Sequence, residues 1–193
     1  MTWLAWLHLL ALAGVSAAPL EILDIKGPTL AHGGDQTSGK GCAPVHAGRL
    51  DELKPPWRGR VARISVKCEP MPGIDGEPDA SISAVAVLKP GTVALQGIAV
   101  VELRTSESWA HGETNYVLKA RYDAIADKLT AHVRRQCLAG WKQTEAAPGG
   151  WCAVSADAEH RGVFIQTGEL GGIWLHPDAD DPTRTIYADA WSE

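Results

Sequence analysis

The sequence predicts an α+β fold, in which an antiparallel β-sheet has one long α-helix packed on it and disulfide bonds stabilise the pair. Three observations support this prediction. One long segment has apolar residues at helical spacing, and short apolar segments separated by Gly, Pro and Asp turns lie on either side of it. The chain also has four cysteines, an even number that suits two disulfides.

The helix is predicted over residues 114–139. Its apolar residues recur every three or four positions, so they form one stripe, as the buried face of a helix requires. Thr114 or Asn115 can cap the start of the helix, and Gly140 can end it. The stripe consists of Leu118, Tyr122, Ile125, Leu129, Val133 and Cys137.

The segments before the helix predict strands. In "RVARISVKC" the residues Ile64, Val66 and Cys68 alternate with polar ones, which indicates a strand with one buried face. The segments "ISAVAVL" and "VALQGIAVVEL" are predicted to be adjacent antiparallel strands, joined by a type II turn at Pro90-Gly91. Gly97 inside the second segment predicts a bulge or a close approach by another element.

Five short apolar segments follow the helix and predict further antiparallel strands. They are "GWKQTE", "GWCAVSA", "GVFIQTG", "GIWLH" and "RTIYADAW". The segment "TSESWAHGET" is interpreted as a connector before the helix, so residues 104–112 are the place for any subdivision of the domain.

Residues 1–17 have the layout of a secretory signal peptide: an apolar run from Trp3 to Ala13 precedes small residues that suit cleavage after Ala17. A membrane anchor is the alternative, but a spanning helix needs about 20 apolar residues. Residues 18–193 then form a single α+β domain, which we expect in the periplasm or secreted.

Composition narrows the possible partners. The net charge of −5 lies wholly in residues 18–193, because residues 1–17 contain no Asp, Glu, Lys or Arg. An acidic chain without a basic cluster is a poor ligand for nucleic-acid phosphates. We therefore expect no nucleic-acid partner, no membrane association after signal cleavage and no cofactor.

The cysteines are predicted to be structural, because disulfides persist in an oxidising compartment. Four cysteines allow three connectivities, of which Cys42–Cys68 and Cys137–Cys152 are favoured. The first pairing would tie the Gly-rich N-terminal segment to the sheet. The second would fix the end of the helix to the segment after it. Zinc binding by these residues is disfavoured, since no two cysteines are spaced as a close ligand pair.

The sequence shows no metal-binding motif and no catalytic motif. No H-E-x-x-H, G-x-S-x-G or S-x-x-K is present. We therefore predict no metal site and no catalytic residues, although some loop residues could converge on an ion. These weak candidates are His111, Glu113, His160, His176 and the acidic residues Asp178, Asp180 and Asp181 of "HPDADDPT".

Tryptophan is abundant beside a single Phe, with eight in the chain and six after residue 17. Trp57 and Trp109 lie in polar, Gly/Pro-rich segments, and exposed Trp and Arg residues dominate protein interfaces. Trp57, Arg58 and Trp109 are therefore candidate partner-binding residues. The first hypothesis is an exported, non-enzymatic periplasmic binding protein that docks and neutralises a protein partner, of the immunity or inhibitor type. The alternatives are a cell-envelope hydrolase, with or without metal assistance, and a module that binds a small ligand or glycan.

Overall fold

The structure, a computed structural model, describes most of the chain after the predicted signal peptide. The described residues are 18–22, 28, 30–32, 46–47, 50–72, 78–108, 111–141 and 151–192. The predicted signal peptide at 1–17, Cys42 and Trp109 lie outside them. Within these ranges no helix has both the length and the apolar character needed to cross a membrane.

Strand dominates the architecture, and one helix accompanies it. The elements are β1 (Leu20–Glu21), β2 (Ala31–His32), β3 (His46–Ala47), β4 (Val61–Pro72), β5 (Pro78–Leu88), β6 (Val93–Leu95), β7 (Ile98–Ser108), β8 (His111–Leu118), α1 (Tyr122–Trp141), β9 (Val154–Asp157), β10 (Gly162–Gln166), β11 (Gly171–Pro177) and β12 (Thr185–Ser192).

Ten of these strands form one sheet. Its main path is β1-β6-β7-β8-β12-β11-β10-β9, and β4 joins it through β5, which pairs with β7. The pairings are antiparallel except for β1 and β6, which run parallel with Leu20 beside Val93. The prediction of a sheet with one helix is confirmed in outline, but the sheet is mixed rather than purely antiparallel.

Two turns precede the helix in this region. One is the turn predicted at Pro90-Gly91, and the other splits a predicted strand into two. Pro90-Gly91 forms the predicted type II turn: Gly91 has a φ of 69° and the Thr92 N–H donates to the Lys89 carbonyl at 3.3 Å. Gln96 and Gly97 have φ values of 51° and 75°, which suit a two-residue hairpin turn. The predicted strand "VALQGIAVVEL" is therefore two strands, β6 and β7, and the prediction of a bulge at Gly97 is wrong.

The helix is shorter at its start than predicted. Residues 114–118 belong to β8, which pairs with both β7 and β12, so the caps proposed at Thr114 and Asn115 are wrong. Leu118, at the end of β8, and Tyr122, at the start of α1, are four residues apart. This is the spacing of one helical turn, so the sequence pattern extended the predicted helix into the strand. The helix also runs through Gly140 to Trp141.

Helix α1 covers one face of the sheet, which we call the helix face. Ile125, Leu129 and Val133 lie one helical turn apart and are buried against sheet residues that include Leu103 and Leu175. These three residues confirm the apolar stripe predicted from the sequence. The main core of the protein therefore lies between α1 and the helix face.

The predicted disulfide between Cys137 and Cys152 is confirmed, with a Cα–Cα distance of 5.7 Å. It joins the last turns of α1 to the segment before β9. The Cys152 N–H also donates to the Gln166 carbonyl at 2.8 Å, so this segment is held to the end of β10. Cys68 is disulfide-bonded as well. Its predicted pairing with Cys42 stays a prediction, because Cys42 lies outside the described residues.

Replacing both Cys137 and Cys152 by serine should lower the free energy of unfolding by about 3 kcal/mol, the chain-entropy value for a loop of this size. The double substitution leaves no unpaired thiol from this bond, so urea unfolding of the two proteins gives the comparison directly. Alkylation of the denatured parent should leave both cysteines unmodified. An unchanged midpoint of unfolding would show that the bond adds nothing to stability.

Tyr116 and Tyr187 form an edge-to-face pair on the helix face, with ring centroids 5.9 Å apart. Burial raises the pKa of Tyr116 to about 12, and the negative charge of Asp189 acts in the same direction. Burial likewise raises the pKa of Tyr187. Both phenols therefore stay neutral in the folded protein at pH values where an unfolded tyrosine ionises.

The sign of this shift predicts alkaline destabilisation. Stability is fully present below about pH 10, the ordinary tyrosine pKa, and falls as pH rises towards 12 because the unfolded state loses its proton first. From pH 10 to 11 the unfolding free energy should drop by about 1 kcal/mol for Tyr116. Urea unfolding of the parent and of Tyr116→Phe measures this contribution. Because Tyr187 contributes in the same direction, the pH dependence should be smaller in Tyr116→Phe than in the parent, and an equal pH dependence in the two proteins would contradict the assignment.

Candidate functional site

The face of the sheet opposite to α1, which we call the outer face, carries the candidate site. Directly paired residues place their side chains on the same face, so one row can be followed across five strands. Tyr116 pairs with Leu103 on the helix face, and its neighbour Asn115 therefore points to the other side. The row on the outer face consists of Arg104, Asn115, Ala188, Trp174 and Phe164.

An open groove of about 260 Å³ lies at one end of this region. It forms where β10 and β12 end, where β8 and β11 begin, and beside the turn between β10 and β11. The groove is lined by His111, Phe164, Gln166, Glu169, Leu170, Gly171, Trp174, Ala190 and Trp191.

Phe164 and Trp174 supply neighbouring aromatic rings to the groove. They pair across β10 and β11, and their ring centroids are 4.4 Å apart with planes inclined by 37°. Gly172 makes this arrangement possible, because a Cβ atom on that residue would overlap the Phe164 ring. The ring thus lies over backbone that has no side chain.

Trp191 repeats this arrangement on β12. It pairs with Gly112 of β8, and a Cβ atom at Gly112 would lie only 2.7 Å from Cζ2 of the indole. Trp191 remains 44% exposed, and Leu170 in the neighbouring turn is 55% exposed. Leu170 therefore gives the groove an exposed apolar rim, whereas the Trp191 indole lies over Gly112, whose register with Tyr116 places that ring on the helix face.

Polar groups accompany the rings. The Gln166 side-chain amide donates from Nε2 to the Gly168 carbonyl at 3.1 Å, which fixes its orientation. Nε2 of His111 lies 3.7 Å from Oε2 of Glu113, and Glu169 is exposed at the turn. The groove thus offers aromatic faces, an amide, an imidazole and a carboxylate, which can bind an apolar group and orient polar groups around it.

The structure brings two predicted loop histidines together at another part of the outer face. His160 in the turn between β9 and β10 lies against His176 of β11, with ring centroids 5.0 Å apart. Nδ1 of His160 is 2.7 Å from Oδ2 of Asp157. The pKa of Asp157 is lowered: desolvation opposes the shift, and the hydrogen bonds from His160 outweigh it.

His111 does not join this pair. It pairs with Ser192 at the end of β12, whereas His176 pairs with Ile186, six residues earlier on the same strand. At about 3.3 Å per residue this separation is about 20 Å. The hypothesis that His111, His160 and His176 bind one metal ion together is therefore wrong.

The acidic residues that were candidate metal ligands instead form hydrogen bonds and ion pairs that stabilise the turn before β12. Asp178 is buried and paired with Arg104, whose Nη2 is 3.1 Å from Oδ2. It also accepts the Asp180 N–H, and Asp181 accepts from Thr183 and pairs with Arg184. Within the described residues, no group of three or more His, Cys, Asp or Glu side chains is placed to hold a metal ion.

Trp57 and Arg58 do not line the groove, and Trp109 lies outside the described residues, so its role stays a prediction. Trp57 is only 4% exposed and belongs to the main core, so the prediction that it is an exposed anchor is wrong. Arg58 beside it is exposed, with its N–H donating to the Lys54 carbonyl. The tryptophan could not be assigned from its polar neighbours, because its burial depends on residues distant in sequence.

The sequence analysis did not predict the groove, although the alternation of residues in two strands indicates some of the side chains that line it. Alternation in "GVFIQ" places Phe164 and Gln166 on the face opposite to Ile165, and alternation in "GGIWLH" places Trp174 opposite to Ile173. Gly171 and Gly172 at the start of that segment indicate room for a ring on the neighbouring strand. The contribution of Trp191 and His111 depends on strand order.

Comparison with known proteins gives no relative: no family model, curated protein or solved structure matches the chain.

Replacing Gly162 by alanine should destabilise the protein by roughly 1–3 kcal/mol, the usual cost of forced overpacking. A Cβ atom there would overlap the Leu175 carbonyl oxygen and lie 2.6 Å from Cβ of His176. Gly168 is the matched control, because a Cβ atom there meets nothing within 4 Å. Thermal unfolding of Gly162→Ala and Gly168→Ala should differ clearly, and equal midpoints would contradict the packing described for the β10–β11 pair.

Proposed function

We propose that this chain is an exported, non-enzymatic binding protein whose groove docks a protein partner in the periplasm, as immunity and inhibitor proteins do. The observation that carries the proposal is the exposed side chain of Leu170 beside the neighbouring rings of Phe164 and Trp174. Such clusters, surrounded by polar groups, are typical of the energetic centres of protein interfaces.

The size of the groove favours an anchor side chain over a free small molecule. Sites that bury small ligands have volumes of about 300–1,000 Å³, whereas this groove has about 260 Å³ and is open. A bulky apolar side chain inserted between the rings would be desolvated there, and the surface around the groove would remain available to the rest of the partner.

The polar rim indicates the chemistry next to that anchor. Glu169 is exposed beside the groove, and the whole chain carries a net charge of −5. A partner with a basic residue beside its apolar anchor would gain electrostatic complementarity and faster association. We therefore propose a partner that presents an aromatic or aliphatic side chain flanked by Lys or Arg.

The composition of the groove supports binding over hydrolysis. Glycoside hydrolysis requires two carboxyl groups facing each other, and the lining contains one, that of Glu169. The lining also contains no serine, threonine or cysteine side chain that could act as a nucleophile. The hydrolase alternative has no comparable support from this site.

A glycan is the second candidate ligand. The Phe164–Trp174 pair presents aromatic faces, and Gln166 and Glu169 lie at their side, where they could accept hydrogen bonds from hydroxyl groups. This arrangement could hold one sugar ring without enclosing it.

The test compares Leu170→Glu with Leu138→Glu. Both leucines are exposed, at 55% and 39%, but Leu138 lies on α1 and does not line the groove. Immobilised parent protein and Leu138→Glu should capture the same protein from an envelope extract of the source organism. Leu170→Glu should reduce the captured amount by tenfold or more, because a charge replaces the apolar rim.

Circular dichroism of both variants should match the parent, which excludes misfolding as the cause of any loss. Equal capture by Leu170→Glu and Leu138→Glu would contradict docking at the groove. Calorimetric binding of cell-wall oligosaccharides that disappears in Trp174→Ala would instead establish the glycan candidate.

A further inference from the structure

His160 and His176 are sixteen residues apart in sequence, and the hairpin between β9 and β10 brings their rings together. The centroids are 5.0 Å apart and the planes are inclined by 36°. His160 is about half exposed and His176 is partly buried, so solvent reaches the pair. This contact is separate from the groove and independent of the function proposed for it.

Hydrogen bonds fix which nitrogen of each ring is free. Nδ1 of His176 is 2.9 Å from the Pro177 carbonyl oxygen, which can only accept, so this nitrogen carries the proton. Nδ1 of His160 is 2.7 Å from the Asp157 carboxylate, which accepts in the same way. In the neutral form of each imidazole the lone pair is therefore on Nε2.

This arrangement is the one found around metal-bound histidines. Such a histidine almost always donates its other N–H to a carboxylate or a backbone carbonyl, which orients the ring and increases its basicity. Here one ring has a carboxylate partner, Asp157, and the other has a carbonyl partner, Pro177.

The turn that presents His160 is held by its own hydrogen bonds. Oδ1 of Asp157 accepts the backbone N–H groups of Glu159 at 3.1 Å and His160 at 3.2 Å. Gly162 lets β11 approach closely, since a Cβ atom there would lie 2.6 Å from Cβ of His176. Asp157 thus fixes both the backbone and the ring of His160.

The spacing of the rings fits joint coordination of one ion. A Zn–N bond is about 2.0–2.1 Å, and Nε2 lies about 1.1 Å from the centre of its ring, so each centroid lies about 3.2 Å from the metal. For a tetrahedral angle the two centroids are then about 5.2 Å apart. The observed 5.0 Å agrees with this value.

We propose that His160 and His176 bind a divalent ion of the zinc type through their Nε2 atoms, with water completing the coordination and Asp157 supporting His160. The described residues offer the ion no third His, Cys, Asp or Glu ligand. Two protein ligands make an exchangeable surface site, in contrast to the four of a structural zinc site. Calcium and magnesium, which prefer oxygen ligands, should not bind there.

Calorimetric titration of the folded, disulfide-bonded chain with Zn²⁺ tests the proposal. We expect one equivalent to bind, and we expect His160→Gln and His176→Gln each to weaken that binding by tenfold or more. Asp157→Asn should weaken it by about 10–100-fold, the usual effect of removing a supporting carboxylate. Titration with Ca²⁺ should give no binding at this site.

His111→Gln is the matched control, because His111 is as exposed as His160, at 48% against 47%, and lies far from the pair. This variant should bind Zn²⁺ like the parent. His160 lies in an exposed turn, so His160→Gln should fold normally, as circular dichroism would verify. Undiminished binding by folded His160→Gln, or no binding of Zn²⁺ by the parent, would overturn the proposal.

Discussion

Packing of α1 against the helix face is the interaction on which the rest of the structure depends. The helix has 20 residues and is about 30 Å long. It packs mainly against β10 and β11, and its buried residues Ile125, Leu129 and Val133 join the largest apolar cluster. A single helix covers one side of a sheet. Within the described part of the chain, no helix covers the side chains of the outer face, so they pack against one another or stay in contact with solvent. The candidate sites lie among these side chains.

The outer face combines a small apolar cluster, an ion pair with a buried carboxylate and an aromatic ring placed over glycine. Val117, Ile186 and Ala188 are buried there together. Arg104 neutralises the buried carboxylate of Asp178, a pair whose disruption would leave an uncompensated charge. The Phe164 ring lies over Gly172 on this face, and the Trp191 ring lies over Gly112 on the helix face; at either glycine a Cβ atom would overlap the ring or approach it too closely. Removing a side chain from one strand thus makes room for a flat aromatic surface from its neighbour.

Both candidate sites lie on the outer face near the ends of strands, beside glycine residues that leave room for a neighbouring side chain. At one end of the β10–β11 pair the rings of Phe164 and Trp174 border the groove, and at the other the turn after β9 places His160 against His176. The Cys137–Cys152 disulfide and the bond from the Cys152 N–H to Gln166 hold the first of these ends to the helix. The groove therefore lies on a part of the sheet whose other face is tied to α1.

Local patterns were reliable where neighbours in sequence decide the structure. Strand alternation, the Pro90-Gly91 turn, the helical stripe from Ile125 to Val133 and the Cys137–Cys152 bond were all read from the residues alone. The helix start was misplaced because Leu118 and Tyr122 have helical spacing across a strand end. Trp57 was misplaced because its polar neighbours gave no sign of the core that buries it.

The sequence by itself determined most of the helix, several of the strands, the apolar face of β4 and one disulfide, since these follow from spacing and residue chemistry within short segments. It did not determine β8, because "TSESWAHGET" was interpreted as a connector and residues 114–118 as helix. The tertiary structure alone decided the strand order, the parallel contact of β1 with β6, the groove and the histidine pair. Each of these joins residues from separate strands or turns. Their proximity depends on which strands pair and in which register, and no local pattern encodes that choice.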